Sequence, residues 1–337
     1  MPAPATFAPF LGDAGAGAMV ALARRVGRYG MYVQAPPDVG FGVGLVQRHD
    51  AALQFLRTSG RSGRPTSLAN FVARANTFRE TYAYDRPVVD GIEPYLWHEG
   101  FVEAARALYG KPVIVPNIVY ANLILPGQEL GVHTDVPEFR GVNRKVVPEW
   151  LLVVMHHSGL FDRWRMPIAT GVAWFHQAAG GDFFHYPDGP DGPEARIPAR
   201  FDTAILLDTD SVFHGVDLVG APDAEPAAMQ PGALLVHDGD DRWHVEQDGV
   251  VLQRLGWEDV RLSISWKAYC FADEAERRLV DEHADDLSLP AVLDALLADL
   301  RARGRVGDAL PEDPQLALCM IDEYVRFPQP PHARGVA

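Results

Sequence analysis

Two side chains with metal-binding chemistry stand two positions apart in the Gly-Val-His-Thr-Asp segment at 131–135. Side chains alternate between the two faces of a β-strand, so His133 and Asp135 would share a face if this segment is a strand. An imidazole and a carboxylate placed in this way can bind one metal ion. The chain has 12 histidines, so the pattern alone is not specific and a third ligand has to be found elsewhere.

Three later histidines are candidates for that ligand: His214, His237 and His244. Proximity in sequence to the basic residue Arg261 favours His244. Local sequence favours His214, because it follows an Asp/Thr/Ser turn and begins an apolar segment typical of a buried strand. Residues 242–255 instead indicate a self-contained hairpin around an Asp-Gly turn. We therefore expect His214 to be the third ligand.

This ligand set predicts a particular metal. Two neutral imidazoles and one carboxylate leave three positions open on an octahedral Fe(II) ion, where a chelating cosubstrate and then dioxygen can bind. His133, Asp135 and His214 are thus predicted to hold Fe(II) and to be the catalytic residues.

A strictly alternating segment, residues 261–267, follows the third candidate ligand. Its two faces would carry Arg261, Ser263, Ser265 and Lys267 on one side and Leu262, Ile264 and Trp266 on the other. The polar face fits either a wet barrel interior or a solvent-exposed sheet surface. Its place after the ligands favours the interior, where an arginine can bind a carboxylate through two parallel hydrogen bonds.

The elements around these residues are predicted as helices, then short strands, then helices again. Helices are expected at 18–26, 51–56, 68–81, with Ser67 as its cap, and 99–109. Strands are expected at 113–125, 130–135, 150–157, 171–175, 182–186, 203–207, 212–219, 242–255 and 261–271, separated by Gly-rich turns. Many short strands without helical crossovers indicate an antiparallel sandwich or jelly roll.

The predicted fold class is therefore mainly β with flanking helices. We expect an N-terminal helical region at 1–111, a catalytic core at 112–272 and a C-terminal helical region at 273–337. Residues 221–259 would be an insertion between two core strands, placed to cover the mouth of the site.

A family resemblance is carried by three segments of the chain. Residues 125–135, which run from Leu-Pro-Gly to His-Thr-Asp, resemble the strand, turn and strand that lead into the iron motif of the Fe(II)/2-oxoglutarate-dependent dioxygenase superfamily, especially its AlkB-like and prolyl-hydroxylase-like branches. His214-Gly215-Val216 resembles the distal histidine motif of that superfamily. Residues 261–267 are similar to the terminal strand whose basic residue holds 2-oxoglutarate.

The resemblance implies a double-stranded β-helix (a cupin-like jelly roll) and the oxidative decarboxylation of 2-oxoglutarate to succinate. It implies that the cosubstrate is contacted by Arg261, Ser263, Asn122 and Lys267. The sequence departs from AlkB-like members in two places, because Ile124 stands where they have a tyrosine and Lys267 where they have a second arginine. Hydroxylation of a small molecule is the reaction expected first, with desaturation or ring formation as alternatives.

Composition limits the partners of the protein. The formal net charge of −15 and the pI near 5.2 disfavour a polyphosphate substrate, because nucleic-acid binding depends on Lys and Arg. Cys270 and Cys319 are too few for a disulfide framework, and the sequence has neither a secretory leader nor a membrane-spanning segment. We expect a cytoplasmic protein with no nucleic-acid or membrane partner.

Two other functions stay open at this stage. An AlkB-like oxidative demethylase would act on alkylated nucleic acid, and a jelly-roll protein without activity would bind a structural metal or none. Arg140, Arg144 and Lys145, which follow the iron motif, fit a site for a carboxylate-bearing substrate, although a solvated loop explains such a cluster more simply.

Overall fold

The chain folds mainly into antiparallel β-sheet with helices packed around it. The computed structural model describes residues 3–32 and 48–329. In those residues the strands are β1 (Ala5–Phe7), β2 (Arg28–Tyr32), β3 (Thr77–Tyr84), β4 (Arg86–Pro87), β5 (Val113–Ile124), β6 (Leu130–His133), β7 (Glu138–Phe139), β8 (Arg165–Met166), β9 (Ile168–Trp174), β10 (Phe183–His185), β11 (Ala195–Ile197), β12 (Thr203–Leu207), β13 (His214–Val216), β14 (Leu234–Gly239), β15 (Arg242–Gln247), β16 (Val250–Gly256) and β17 (Arg261–Phe271). The helices are α1 (Gly12–Val26), α2 (His49–Thr58), α3 (Leu68–Ala75), α4 (Glu93–Leu96), α5 (Glu99–Tyr109), α6 (Glu149–Ser158), α7 (Glu274–Asp281), α8 (Leu289–Ala302) and α9 (Asp313–Tyr324).

Two sheets carry most of the strands. The large sheet has the order β1-β12-β9-β17-β5-β3-β2-β14-β15-β16, with β4 paired to β3, and the small sheet has the order β11-β10-β13-β6. Between β5 and β17 the chain passes back and forth between the sheets. Strands β5, β9, β12 and β17 lie in the large sheet, and β6, β10, β11 and β13 lie in the small one.

The two sheets pack against each other through apolar side chains. Trp174, Ile205 and Leu207 of the large sheet form one buried cluster with Phe183 of the small sheet. Burial of such large side chains, at roughly 25 cal/mol per Å² of apolar surface, stabilises the contact between the sheets. The space between the two sheets is therefore filled with packed side chains around this cluster.

Strand β17 is a central, buried strand. It pairs with β5 over its whole length, from Arg261 opposite Ile124 to Phe271 opposite Val113, and with β9 on its other edge. Its polar residues are buried together with its apolar ones. The alternation of this strand thus reflects two covered faces, and the alternative of a solvent-exposed polar face is wrong.

The predicted strand at 150–157 is wrong, since these residues belong to helix α6. All residues of α6 from Glu149 to Met155 are buried, and they pack with the C-terminal helices in one apolar cluster. A helix that is covered on every side shows a continuous apolar run, which periodicity cannot distinguish from a buried strand.

The N-terminal third also differs from its prediction. The helix expected at 68–81 ends at Ala75, with the Ser67 side chain capping its start, and β3 begins at Thr77. Strands β1, β2 and β3 all join the large sheet, so residues 1–111 are not helical throughout. The aromatic and β-branched residues of β3 favour a strand, and pairing with β5 fixes it.

The insertion at 221–259 extends the large sheet rather than covering the site. Strand β14 pairs with β2, and β15 and β16 continue the sheet outward from it. In the described part of the chain, no residue of this insertion lines the cavity of about 1050 Å³ that lies beside His133 and Asp135. In the same residues, no helix is both long enough and apolar enough to cross a membrane.

Candidate metal centre and adjoining cavity

The pairing of β6 with β13 brings the predicted metal ligands together. His133, the last residue of β6, lies opposite His214, the first residue of β13. Asp135 follows two residues after His133 and is anchored by a hydrogen bond from its backbone N–H to the carbonyl oxygen of Thr209, at 2.8 Å. One ligand atom from each of the three side chains lies within 4.8 Å of the others.

The distances fit a single metal ion. Asp135 Oδ1 lies 3.9 Å from His133 Nε2 and 3.8 Å from His214 Nε2. Ligand atoms about 2 Å from one metal are roughly 3–4 Å from each other, depending on the angle between them. Small rotations of the side chains would therefore bring all three atoms into a first coordination sphere.

Backbone carbonyl groups orient both imidazoles. His133 Nδ1 lies 2.8 Å from the carbonyl oxygen of Gly131, and His214 Nδ1 lies 2.9 Å from that of Val212. A carbonyl oxygen only accepts hydrogen bonds, so each Nδ1 carries the proton and each Nε2 presents a lone pair. Histidines that bind metals are held in this way.

The protonation states also suit metal binding. Burial lowers the pKa of His133 to about 3, and the neighbouring His214 imidazole adds to the effect. Burial likewise lowers the pKa of His214. Both imidazoles are thus neutral at pH 7, which is the form that donates to a metal.

Lys267 fixes the third ligand. Its Nζ lies 2.7 Å from Asp135 Oδ2 and donates a further hydrogen bond of 3.0 Å to Thr170 Oγ1. Burial alone would raise the pKa of the Asp135 carboxyl, but the Lys267 ammonium holds it well below its usual range. The carboxylate therefore stays ionised, with Oδ2 engaged and Oδ1 directed to the histidines.

Unlike Asp135, Arg261 is a buried charged residue without a close partner of opposite charge among the described residues. The residue is 1% exposed, and its Nε donates a 2.7 Å hydrogen bond to the carbonyl oxygen of Gly181. Its Nη1 lies 3.4 Å from Ser263 Oγ. Among residues 3–32 and 48–329, no carboxylate lies within the 4.0 Å of an ion pair with Arg261. Burial lowers the pKa of its guanidinium to about 9, because its charge lacks a close counter-ion.

Asn122 lies in β5 directly opposite Ser263, on the same face of the sheet as Arg261. Its side-chain oxygen accepts a 2.9 Å hydrogen bond from Arg79 Nε. Asn122 is thus next to the predicted cosubstrate residues, but its amide is engaged by a cation that the sequence analysis did not select. Arg79 was missed because its segment was predicted as helix.

A cavity of about 1050 Å³ opens beside the metal ligands. Its lining includes His133, Asp135 and Lys267 at one end and Arg79 and Tyr120 on the wall formed by the large sheet. The volume is within the range of small-molecule sites. The described residues of the lining include seven Lys or Arg and seven Asp or Glu side chains, so these residues contribute no excess positive charge.

The three basic residues of the loop after Asp135 all line this cavity, but they have different partners. Arg140 is bound to Asp285 through two hydrogen bonds of 2.7 and 2.9 Å, and it also donates to a backbone carbonyl. Arg144 lies 3.5 Å from Glu149, and Lys145 lies over the ring of Tyr84. Arg140 thus ties this loop to the segment before α8.

The two rival histidines lie elsewhere. His244, in β15, is 2.9 Å from Asp238 and 3.4 Å from Glu246. His237, in β14, has its Nε2 2.8 Å from the carbonyl oxygen of Asp240. Neither belongs to the cluster of possible metal ligands found in the described residues, whereas His214 does.

Comparison with known proteins identifies similar structures only. No family model matches the chain, and no curated protein matches it. Similar solved structures include a prolyl-4-hydroxylase from Pseudomonas putida, with a TM-score of 0.39 at 13% identity over 80% of this chain and 92% of that one. HygX from Streptomyces hygroscopicus, solved with nickel and 2-oxoglutarate bound, has a TM-score of 0.36 at 9% identity over 79% and 81% of the two chains.

A third similar structure is an oxidoreductase of the 2OG-Fe(II) oxygenase family from Burkholderia pseudomallei, with a TM-score of 0.34 at 13% identity over 75% of this chain and 90% of that one. All three TM-scores lie below 0.5. Similarity at this level does not establish a shared activity, so the function has to be inferred from the residues of the site.

Proposed function

We propose that this chain is a non-haem Fe(II) oxygenase that uses 2-oxoglutarate to oxidise a small molecule. The observation that carries the proposal is the cluster of His133, Asp135 and His214, with both Nδ1 atoms held by carbonyl oxygens and both Nε2 atoms facing one carboxylate oxygen. Two imidazoles and one carboxylate are the donor set of a facial Fe(II) site.

The two sheets support this proposal as halves of a double-stranded β-helix. Strands β5, β6, β9 and β10, and then β11, β12, β13 and β17, form the alternating path of such a fold across the sheets. We place the catalytic core at residues 112–272, with the strands of 221–259 inserted between β13 and β17. Metal ligands from β6, the turn after it and β13 then lie at one end of the small sheet.

Fe(II) bound by His133 Nε2, His214 Nε2 and Asp135 Oδ1 would supply the activation of dioxygen, which is coupled to decarboxylation of 2-oxoglutarate. The residues fit this ion, because each has a free donor atom and a partner that fixes its orientation. Lys267 would act on the site by holding Asp135 Oδ2, so that only Oδ1 is offered to the metal.

Arg261 is the residue that we assign to the distal carboxylate of 2-oxoglutarate. Its buried guanidinium has no carboxylate within ion-pair distance among the described residues, and Ser263 Oγ lies beside it. A buried charge of this kind is costly unless it is paired, so an anionic ligand that reaches this guanidinium would be bound strongly. We assign Ser263 and Asn122 to the same cosubstrate site through their shared face with Arg261.

In the proposed reaction, a substrate C–H bond, dioxygen and 2-oxoglutarate are converted to a C–OH group, succinate and carbon dioxide. One oxygen atom enters the substrate and the other enters succinate. Desaturation or ring formation would consume the same cosubstrates and release water. The absence of excess positive charge in the cavity lining supports a small molecule over a nucleic-acid strand, because strand binding needs a positively charged groove.

The test measures succinate release from 2-oxoglutarate by the purified protein with Fe(II) and ascorbate in air. We expect slow release without primary substrate, and its loss in His133→Ala, while Lys145→Gln retains it. Anaerobic addition of Fe(II) and then 2-oxoglutarate should produce a visible absorption band of the chelate. Iron-independent succinate release, or none together with no chelate band, would refute the proposal.

A further inference from the structure

A guanidinium lies between two tyrosine rings on the wall of the cavity. Arg79 belongs to β3, and its Cζ lies 3.9 Å from the ring centroid of Tyr32 and 4.2 Å from that of Tyr120. Its Nε donates to Asn122 Oδ1 at 2.9 Å. Contact with two aromatic faces and one fixed acceptor holds the plane of the guanidinium in place, which prepares it to bind a planar anion.

The remaining donors of Arg79 are not used by the described part of the chain. Within residues 3–32 and 48–329, Arg79 has no carboxylate within 4.0 Å, and its hydrogen bond to Asn122 is the only one it makes. The basic residues at the metal end of the cavity differ, because Lys267 is paired with Asp135 and Arg140 with Asp285. Within the part of the chain that the structure describes, the two Nη groups of Arg79 are therefore available to a ligand.

Arg79 is placed to act on a molecule that reaches the metal centre. Tyr120, which contacts Arg79, lies opposite Ser265 in the register of β5 with β17. Ser265 and Lys267 are two residues apart on one face of β17, which corresponds to about 7 Å along the strand. Arg79 and the metal ligand Asp135 line the same cavity. A small molecule held by Arg79 at one end could thus present another of its carbon atoms to the metal ligands.

We propose that Arg79, fixed between Tyr32 and Tyr120, binds the carboxylate of the primary substrate, which is then a small carboxylic acid. This rests on the proposed function for the identity of the cavity as a substrate site, but the anion-binding role of Arg79 does not depend on turnover. A carboxylate fits better than a phosphate, because it is planar like the guanidinium and accepts two parallel N–H donors in one plane.

The matched control is Lys145. It lines the same cavity, and its Nζ lies 5.4 Å from the centroid of the Tyr84 ring. It is exposed, whereas Arg79 is half-buried, so an anion bound by Lys145 would stay largely solvated. Comparing Arg79→Gln with Lys145→Gln removes one positive charge from the cavity in each case. The comparison therefore separates a specific carboxylate site from the general charge of the cavity.

The experiment measures binding to the metal-free protein by calorimetry, with three carboxylates and their neutral amides as probes: acetate and acetamide, benzoate and benzamide, and indole-3-acetate and its amide. We expect the wild type to prefer at least one carboxylate over its amide by tenfold or more. Arg79→Gln should lose this preference, and Lys145→Gln should keep it within about threefold. Inorganic phosphate should compete weakly, and both variants should show the thermal unfolding of the wild type.

The outcomes separate this proposal from the proposed function. No carboxylate preference in the wild type, a preference that survives Arg79→Gln, or one that is lost only in Lys145→Gln would overturn the role of Arg79. A second arm measures 2-oxoglutarate binding to the Ni(II)-loaded protein, where Arg79→Gln should stay within about threefold of the wild type, because it removes only the hydrogen bond to the Asn122 side chain. A tenfold loss there would mean that Arg79 holds the cosubstrate, which also overturns the proposal. An Arg79-dependent carboxylate site with neither succinate release nor a chelate band would leave the anion-binding role of Arg79 standing and refute the oxygenase assignment.

Discussion

Replacing Arg261 by methionine should stabilise the ligand-free protein while it removes cosubstrate binding. Burial lowers the pKa of this guanidinium from 12.5 to about 9. A pKa lowered by roughly 3.5 corresponds to about 5 kcal/mol of free energy that disfavours the charged arginine in the folded protein. The change also leaves the carbonyl oxygen of Gly181 without its donor, which costs about 1–3 kcal/mol. The net expectation is a gain of about 2–4 kcal/mol in the free energy of unfolding.

The control for this prediction is Arg74, a second buried arginine of the chain. Arg74 is 5% exposed and forms an ion pair with Glu129, which is itself fully buried. Arg74→Met should destabilise the protein by about 3–5 kcal/mol, because it leaves the Glu129 carboxylate buried and unpaired. Two substitutions of the same chemical type are thus expected to change stability in opposite directions.

The assay is urea denaturation of the metal-free protein followed by circular dichroism, with equal slopes required before stabilities are compared. A second series adds Ni(II) and 2-oxoglutarate. At a hundredfold excess over its dissociation constant, the ligand should stabilise the wild type by about 2.7 kcal/mol and Arg261→Met hardly at all. The reasoning fails if Arg261→Met loses as much stability as Arg74→Met, or if 2-oxoglutarate stabilises it as it does the wild type.

Three further substitutions test other parts of the site. His214→Ala should abolish tight Ni(II) binding in calorimetry while His244→Ala keeps it, and the reverse result would reassign the third ligand. Gly181→Ala should weaken 2-oxoglutarate at least tenfold, because a Cβ there would lie 2.5 Å from the Cδ atom of the buried arginine. Gly189→Ala shares a positive φ but has open space around it, so it should bind normally, and equal losses would point to backbone strain instead. Burial raises the pKa of the Asp210 carboxyl from 3.8 to about 7. The folded protein therefore loses stability relative to the unfolded chain as the pH rises from about 4 to about 7. Asp210→Asn should therefore stabilise the protein by roughly 4 kcal/mol at pH 8 and have little effect near pH 4, and a gain that is independent of pH would contradict this cause.

The candidate metal ligands could be found from the sequence because their signals are local. His133 and Asp135 are two residues apart after a Pro-Gly turn, and His214 starts an apolar strand. What sequence alone could not supply is the register that places His214 opposite His133, because it depends on pairing between distant strands. The resemblance of residues 261–267 to a cosubstrate-binding strand provided the reason to expect a buried polar face there.

The wall of the cavity was missed for a different reason. Strand β3 directly follows helix α3, and a register irregularity between Thr81 and Ala83 interrupts its alternation. A bulge shifts the pattern by one residue, so a period of two cannot be followed through it. The segment was predicted as helix because Phe71, Ala75 and Phe78 stand near helical spacing, so Arg79 could not be placed on the face that lines the cavity.

The two cations of β17 were both expected to contact the cosubstrate, but their surroundings differ. Lys267 and Arg261 lie on the same face of one strand, yet Lys267 is saturated by Asp135 while Arg261 has no close carboxylate among the described residues. A lysine ammonium is a compact charge that suits one carboxylate oxygen, whereas an arginine offers two parallel donors to a carboxylate that arrives as a ligand. Pairing within the protein therefore supports our proposal that Lys267 orients Asp135 as a metal ligand. The lack of a close carboxylate among the described residues supports our proposal that Arg261 recognises an incoming anion.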